Sequence, residues 1–370
     1  MVQRLAGTPH WTLGAALMKQ AAARDWLRRN LFSDAWSGLT TLLLLGGALY
    51  WLPGLVDWAL LKAQFRPDAA ACGAMEHAGA CWGVVAEKYR AILFGRYPHA
   101  EQWRPLLATA LVLLAIVASG LRLATRGALI AAWALALPAF FLLMGGGLLS
   151  LAPVASDQWG GLPLTLLLAT MGMLLAFPLA VLVALGRYQA AWPLLRILCA
   201  FYVELVRGVP LISVLFLASF LFPIILPPGI SIDVLLRVQA GIVLFAAAYL
   251  AETLRGGLQA VAAGQHHAAA ALGLSRWQAL RWIILPQAIR AVIPSIVNSA
   301  VSVFKDTSLV TVVSLYELTG ALSLALAGDA EWRSYYLEGY LFIGLIYWTG
   351  CYSMSRFGAG LERRLSAGAP

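Results

Sequence analysis

Lys305 and Asp306 stand side by side in a run from Ala291 to Leu315 that is otherwise uncharged. In hydrocarbon a lone charge is costly, so such residues mark the path of a polar solute or a pair that locks helices together. Ser295, Asn298, Ser302 and Lys305 recur at helical spacing. One face of this run is therefore polar and must be turned away from lipid, toward a cavity or a subunit interface. Glu204 and Arg207, three apart, share a helix face in a second apolar run, and Gly208 and Pro210 break the helix after them. Backbone groups freed at such a break can hold a zwitterion. The alternative is an Arg207 that snorkels to headgroups with Glu204 as its partner. Cys72 and Cys81 bracket His77 in a polar segment. A disulfide suits an oxidising compartment, and free thiols are the alternative. A metal site would want more ligands. No Ser, His and carboxylate set suggests a hydrolase. The chemistry on offer is recognition and passage of a charged solute.

Those residues need a membrane to position them. The 370-residue chain is 61% hydrophobic and 12% charged, about half the charged fraction of a soluble protein. Its mean hydropathy is +0.79. The net charge of +9 comes from basic residues beside apolar runs, which points to topology and anionic headgroups, not to nucleic acid. Windows long enough to cross a bilayer are Leu39–Leu61, Leu106–Leu123, Ala128–Leu149, Leu162–Leu185, Ala200–Leu226, Val238–Leu254, Ala291–Leu315 and Gly339–Ser355. The expected fold is an all-α integral membrane protein of about eight spans. The first window begins too far in for a cleavable signal and reads as an anchor.

Charge asymmetry orients these spans. Arg122, Arg126, Arg187, Arg196, Arg255, Arg276, Arg281 and Arg290 fall in linkers on one side, with Arg356, Arg363 and Arg364 in the tail. The opposite short connections hold Asp157, Asp233, Arg237, Asp329, Glu331, Arg333 and Glu338, mostly acidic. The basic side is cytoplasmic, and so are both termini. Residues 1–38, with Lys19, Arg24, Arg28 and Arg29 among Trp11, Leu17, Trp26, Leu27 and Leu31, read as a basic amphipathic segment on the cytoplasmic face. Residues 39–158 form an N-terminal membrane extension without buried charge, carrying an outer loop over about 62–105. Residues 159–356 form a core that holds every intramembrane ionisable pair, with a cytoplasmic loop over about 255–290. Residues 357–370 form a tail.

That cytoplasmic loop contains "HHAAAALGLSRWQALRWIILPQAIR", His266 to Arg290. Ala268, Ala269, Ala271, Leu272, Leu274 and Ala279 give a small-residue surface. Gly273 suits a C-cap or a tight turn between two short helices. Trp277, Leu280, Ile283 and Ile284 define the second helix, which Pro286 ends or kinks. A helix with small residues outward can enter a groove on a soluble partner. The plainer alternative is an amphipathic helix resting on the lipid bilayer.

The segment resembles the coupling loop of ABC importer permeases, which has E-A-A, three residues, Gly, about nine residues, then I-x-L-P. The matching residues are Ala268, Ala269, Gly273, Ile283, Leu285 and Pro286, and His267 stands at the Glu position. "YVELVRGVPLISVLF" (Tyr202–Phe216) and "FKDTSLVTVVSLYEL" (Phe304–Leu318) are similar to the polar-amino-acid branch of that family. "ACWGVVAEKYRAILFGRYP" (Ala80–Pro98) and "WLRRNLFSD" (Trp26–Asp34) resemble one permease of general L-amino-acid uptake systems of Gram-negative bacteria. The resemblance implies a five-helix type I importer core behind a three-helix extension, in the bacterial inner membrane. It implies a second permease, copy or paralogue, a periplasmic amino-acid-binding protein, and an ATP-binding ABC subunit that carries ATP and Mg. The chain has no G-x-x-x-x-G-K-[ST] loop, in keeping with an ATPase site on that partner. The chain is thus expected to be a transport subunit and not an enzyme. An ion-coupled secondary amino acid transporter is the alternative. It calls for inverted repeats and broken helices in both halves, which are not visible here. A membrane enzyme would need a catalytic cluster at one depth, and none stands out.

Overall fold

The computed structural model describes residues 25–74, 79–121, 123–189 and 192–366. Lys19, Arg24, His77 and Arg122, with Trp11 and Leu17, lie outside the described residues. Helices carry the chain, and extended pairing among the described residues is limited to isolated bridges.

Two compact units divide at Trp82. The first holds α1, Ala35–Leu61, whose last turn from Asp57 is π-helical. Asp34 caps α1 by accepting from the Ser37 amide. Beyond α1, Cys72 and Cys81 are joined as a disulfide. Trp82 Nε1 donates to the Ala59 carbonyl at 2.7 Å, which ties this loop back to the end of α1.

The second unit begins with α2, Gly83–Phe94, then α3, Trp103–Leu121, and α4, Arg126–Gly145. The expectation that residues 39–158 bury no charge is wrong at Arg104, which is fully buried. Its Nε donates to the Leu143 carbonyl at 2.7 Å and its Nη1 to the Ala152 carbonyl at 2.8 Å. A guanidinium can be buried because several carbonyls satisfy it. The last turn of α4 supplies one and the loop after it the other.

The core follows. α5 is Gly161–Gln189, α6 Pro193–Arg207, α7 Leu211–Ile225 and α8 Val234–Ala260. α9 is Ala263–Ala271, and α10 starts at Arg276–Ala279 and runs on through a π-helical turn, Leu280–Ile284, to Ala291. α11 is Ile293–Asp306 with a 3₁₀ continuation to Val313, α12 is Leu318–Ala327, and α13 is Tyr336–Ser366. α5 and α8 bury Leu164, Leu168, Ala180, Ala247, Leu250 and Leu254 together. Alanines in this seam permit close helix approach, as membrane bundles require. At Gly257 a Cβ would lie 2.7 Å from the Ala288 carbonyl, so only glycine admits α10 there.

Among the described residues six helices are long and apolar enough to cross a membrane, or seven if α6 and α7 count as one. The eighth expected span is α13, which is long enough but dilutes its apolar residues with tyrosines and glycines. The expected Ala200–Leu226 span is not one straight helix. α6 and α7 meet at 105°, with the break at Gly208–Pro210. Proline at 210 offers no amide to the preceding turn.

Candidate functional site

The loop between α8 and α11 folds as two short helices about a glycine. Gly273 has φ +72, a left-handed value that glycine adopts freely. The Leu274 amide donates to the Ala269 carbonyl at 3.1 Å and the Gly273 amide to the Ala270 carbonyl at 2.9 Å. These two bonds are a Schellman termination of α9. Ser275 then starts α10 through a reciprocal capping box with Gln278. His267 and Ala268 are exposed, and Ala269 is buried. Ile283 and Leu285 are half-buried, and Pro286 is exposed just after the π-turn. The buried face of α10 is Leu280, Ile284 and Ala288. Trp277 points outward at 61% exposure.

The C-terminal ends of α5, α6 and α8 share a charge cluster. Glu252 of α8 accepts from Arg187 at 2.6 Å, pairs with Arg255 one turn on, and lies 3.7 Å from Arg207. Arg187 also reaches Glu204 at 3.7 Å. The sequence places Glu204 and Arg207 as mutual partners. The structure instead gives each a partner on another helix, Arg187 of α5 for Glu204 and Glu252 of α8 for Arg207. Arg207 also lies over the Tyr249 ring, 5.6 Å from its centre. Tyr188 meets His266 of α9 at 3.5 Å, so the end of α5 touches the coupling segment as well.

α11 presents its polar stripe outward. Ser295, Asn298, Ser302 and Lys305 are all exposed, while Val303 and Phe304 face the core. Lys305 and Asp306 do not pair with each other, and among the described residues neither takes part in an ion pair within 4.0 Å. A Lys–Asp lock between helices is therefore absent within this chain. Lys305 borders a shallow cavity of about 320 Å³ with Ser308, Thr319, Tyr340 and Tyr347.

Behind that cavity is a residue the sequence reading did not single out. Glu317 is fully buried. It accepts from Tyr347 Oη at 2.6 Å, Thr165 Oγ1 at 3.1 Å, Thr311 Oγ1 at 3.3 Å, and the Thr319 and Gly320 amides at 2.7 and 3.2 Å. Five donors satisfy the carboxylate in place of a cation. It links α5, the 3₁₀ segment, α12 and α13. The available signal was its place at an N-cap, E-L-T-G, directly before an apolar helix.

No group among these residues forms a nucleophile–base pair, and among the described residues no cluster of three metal-ligating side chains occurs. The arrangement can dock, hold and let pass.

Residues 176–367 match the family model described as "Binding-protein-dependent transport system inner membrane component". The chain is 43% identical over 352 residues to the inner membrane amino-acid ABC transporter permease protein YhdY of Escherichia coli K12, covering 94% of each protein. It is 34% identical over 414 residues to the glutamate/glutamine/aspartate/asparagine transport system permease protein BztC of Rhodobacter capsulatus, covering 95% of each. Among solved structures it is similar to a chain of an amino acid ABC transporter crystallised with histidines. The TM-score is 0.50 at 28% identity, over 55% of this chain and 92% of that one.

Proposed function

The chain belongs to the binding-protein-dependent transport system inner membrane components, and on that premise we propose that it is one of two permeases of an ATP-driven importer of L-amino acids. The observation that carries this is the loop of α9, Gly273 and α10: a short helix of small residues, rigidly capped and exposed, on the basic side of the bundle. An ATP-hydrolysing partner receives α9 in a cleft and supplies the ATP and Mg chemistry. This chain makes and breaks no bond. A second permease completes the pore, and a periplasmic binding protein delivers the solute. The names of its relatives, YhdY and BztC, support amino acids as the cargo. The family lends nothing to an ion-coupled secondary transporter.

In this reading Lys305, Ser302 and Asn298 line the path or its gate, with Asp306 beside them. The solute is a zwitterion, and an exposed ammonium among hydroxyls and an amide offers its carboxylate a charge-assisted contact. Glu204 and Arg207 belong instead to the corner that holds α5, α6 and α8 together beside the coupling loop. Both termini lie in the cytoplasm, residues 39–158 form the extension, and 159–356 the core. The Cys72–Cys81 bridge then sits in the oxidising periplasm.

The test is purification and reconstitution. An ATPase and a second permease should accompany the tagged chain, and vesicles should take up radiolabelled L-amino acids only with ATP inside and binding protein outside. Uptake that follows an ion gradient without ATP would overturn the proposal.

A further inference from the structure

α6 carries its apolar side outward. Leu194, Ile197, Leu198, Phe201 and Leu205 are each more than half exposed. Their i, i+3, i+4, i+7, i+11 spacing is that of a single helix face. The other side is fastened to the bundle: Val203 is fully buried, and Tyr202 Oη donates to the Leu244 carbonyl. A Cβ at Gly186 would lie 2.7 Å from Cys199 Sγ and 3.9 Å from Leu195. The next residue of α5, Arg187, reaches Glu204. Residues 195 to 204, about 14 Å of helix at 1.5 Å per residue, thus lie over one step of α5. That is a crossing and not a side-by-side pair.

α7 behaves differently. Its Val214, Leu215 and Ala218 lie against Gly241 of α8, and Arg237 of α8 donates to the Ala218 and Ser219 carbonyls. α7 therefore runs along α8, and α6 turns 105° away from it. We propose that α6 lies in the plane of the membrane at the cytoplasmic headgroup boundary, its apolar face sunk among the acyl chains of a leaflet rich in anionic lipid. The choice of leaflet rests on the orientation proposed above, and the in-plane placement does not. Lipid is the occupant for two reasons. The face is built of bulky Leu, Ile and Phe, whereas helix interfaces within bilayers favour small residues that let backbones approach. Its borders carry Trp192, 75% exposed at the helix start, and the exposed Arg196 one turn on. Indole and guanidinium groups belong at the headgroup level, where anionic lipids attract the cations.

The experiment uses the whole transporter in nanodiscs of phosphatidylethanolamine and phosphatidylglycerol. Cys199→Ala and Cys351→Ala leave the Cys72–Cys81 bridge in place. Single cysteines at Leu194, Leu198, Phe201 and Leu205, and at Leu217, Leu221 and Ile224 for comparison, receive spin labels. Oxygen and nickel-chelate accessibility then report depth. All α6 positions should read one shallow depth within about 3 Å, with high oxygen access, while the α7 positions deepen stepwise. A steady change of about 16 Å from Leu194 to Leu205, the rise of a crossing helix, would overturn the proposal. So would a constant depth with oxygen excluded, which means another subunit covers the face. For any label that disrupts assembly, benzoylphenylalanine at Phe201 gives the same distinction. Phospholipid adducts are expected, and a peptide adduct from another subunit would refute the lipid assignment.

Discussion

The corner around Glu252 and the stripe on α11 are both polar and both belong to membrane-length helices, yet the chain treats them in opposite ways. At the corner three arginines and two carboxylates from three helices satisfy one another. On α11 the hydroxyls, the amide and the ammonium are left facing out. A polar group that costs free energy in lipid persists unpaired only where something other than lipid meets it. The corner is thus a fastening internal to this subunit. The stripe and the exposed α9 are surfaces kept open for what lies outside it. Changes at the corner should weaken the fold, and changes at the open surfaces should weaken transport.

The largest expected effect is at α9. Gly273→Glu places a side chain and a charge at a left-handed φ, so uptake should be abolished while membrane insertion is normal. Wild-type uptake by this variant would remove the coupling role. Lys305→Met comes next. It keeps a long apolar chain, so thermal stability should hold, ATP hydrolysis should continue, and uptake should fall about ten-fold, the loss of one charge-assisted contact. Normal uptake would erase the contrast drawn above, and failure to fold would make α11 a fastening as well.

Glu252→Gln should reverse that pattern. It leaves three arginines without their shared anion at a partly buried site. Roughly 1–3 kcal/mol should be lost, between the values for exposed and fully buried pairs. Thermal unfolding of the purified complex should register it, and uptake per folded molecule should change little. Oxidised membranes should show no alkylation of Cys72 or Cys81, and labelling of either would deny the bridge. The smallest effect concerns Asp329, whose carboxyl is held below its usual range by Lys88, 2.7 Å away. With the folded value depressed, the stabilisation is present above the unfolded value of 3.8 and is lost as pH falls through the folded one. Asp329→Asn should flatten the acid limb of the stability curve slightly and leave neutral pH nearly unchanged.

Much of this was legible in the chain. Long uncharged runs announce spans because hydrocarbon tolerates little else. Gly273 and the Gly208–Pro210 break act through backbone geometry that each residue carries with it. The Glu252 cluster was not legible, because its bond to Arg187 joins residues 65 apart and a nearer partner, Glu204, stood three residues from Arg207. The π-turn at Leu280–Ile284, which shifts the facing of α10 by one residue, was not legible either. Arg104 was missed because its hydrogen bonds go to backbone carbonyls, which any sequence has, although Glu101, 3.7 Å away, stands only three residues before it. Glu317 was missed for the same reason in reverse, its donors being hydroxyls and amides from four separate elements.

The π-turn has one further implication. In it the Leu285 amide bonds five residues back, to Leu280, so the turn holds one residue more than an α-helix would. It is a spare link in the chain. Deleting Trp282 would close the helix into regular α form and spare its hydrogen bonds. Everything before it, α9 included, would keep its bearing, because the wide turn already absorbs the extra residue; in a regular α-helix the same loss would swing it about 100°, the angle one residue subtends. At this one point α10 can lose a residue without turning the segment that precedes it, a tolerance the rest of the helix lacks.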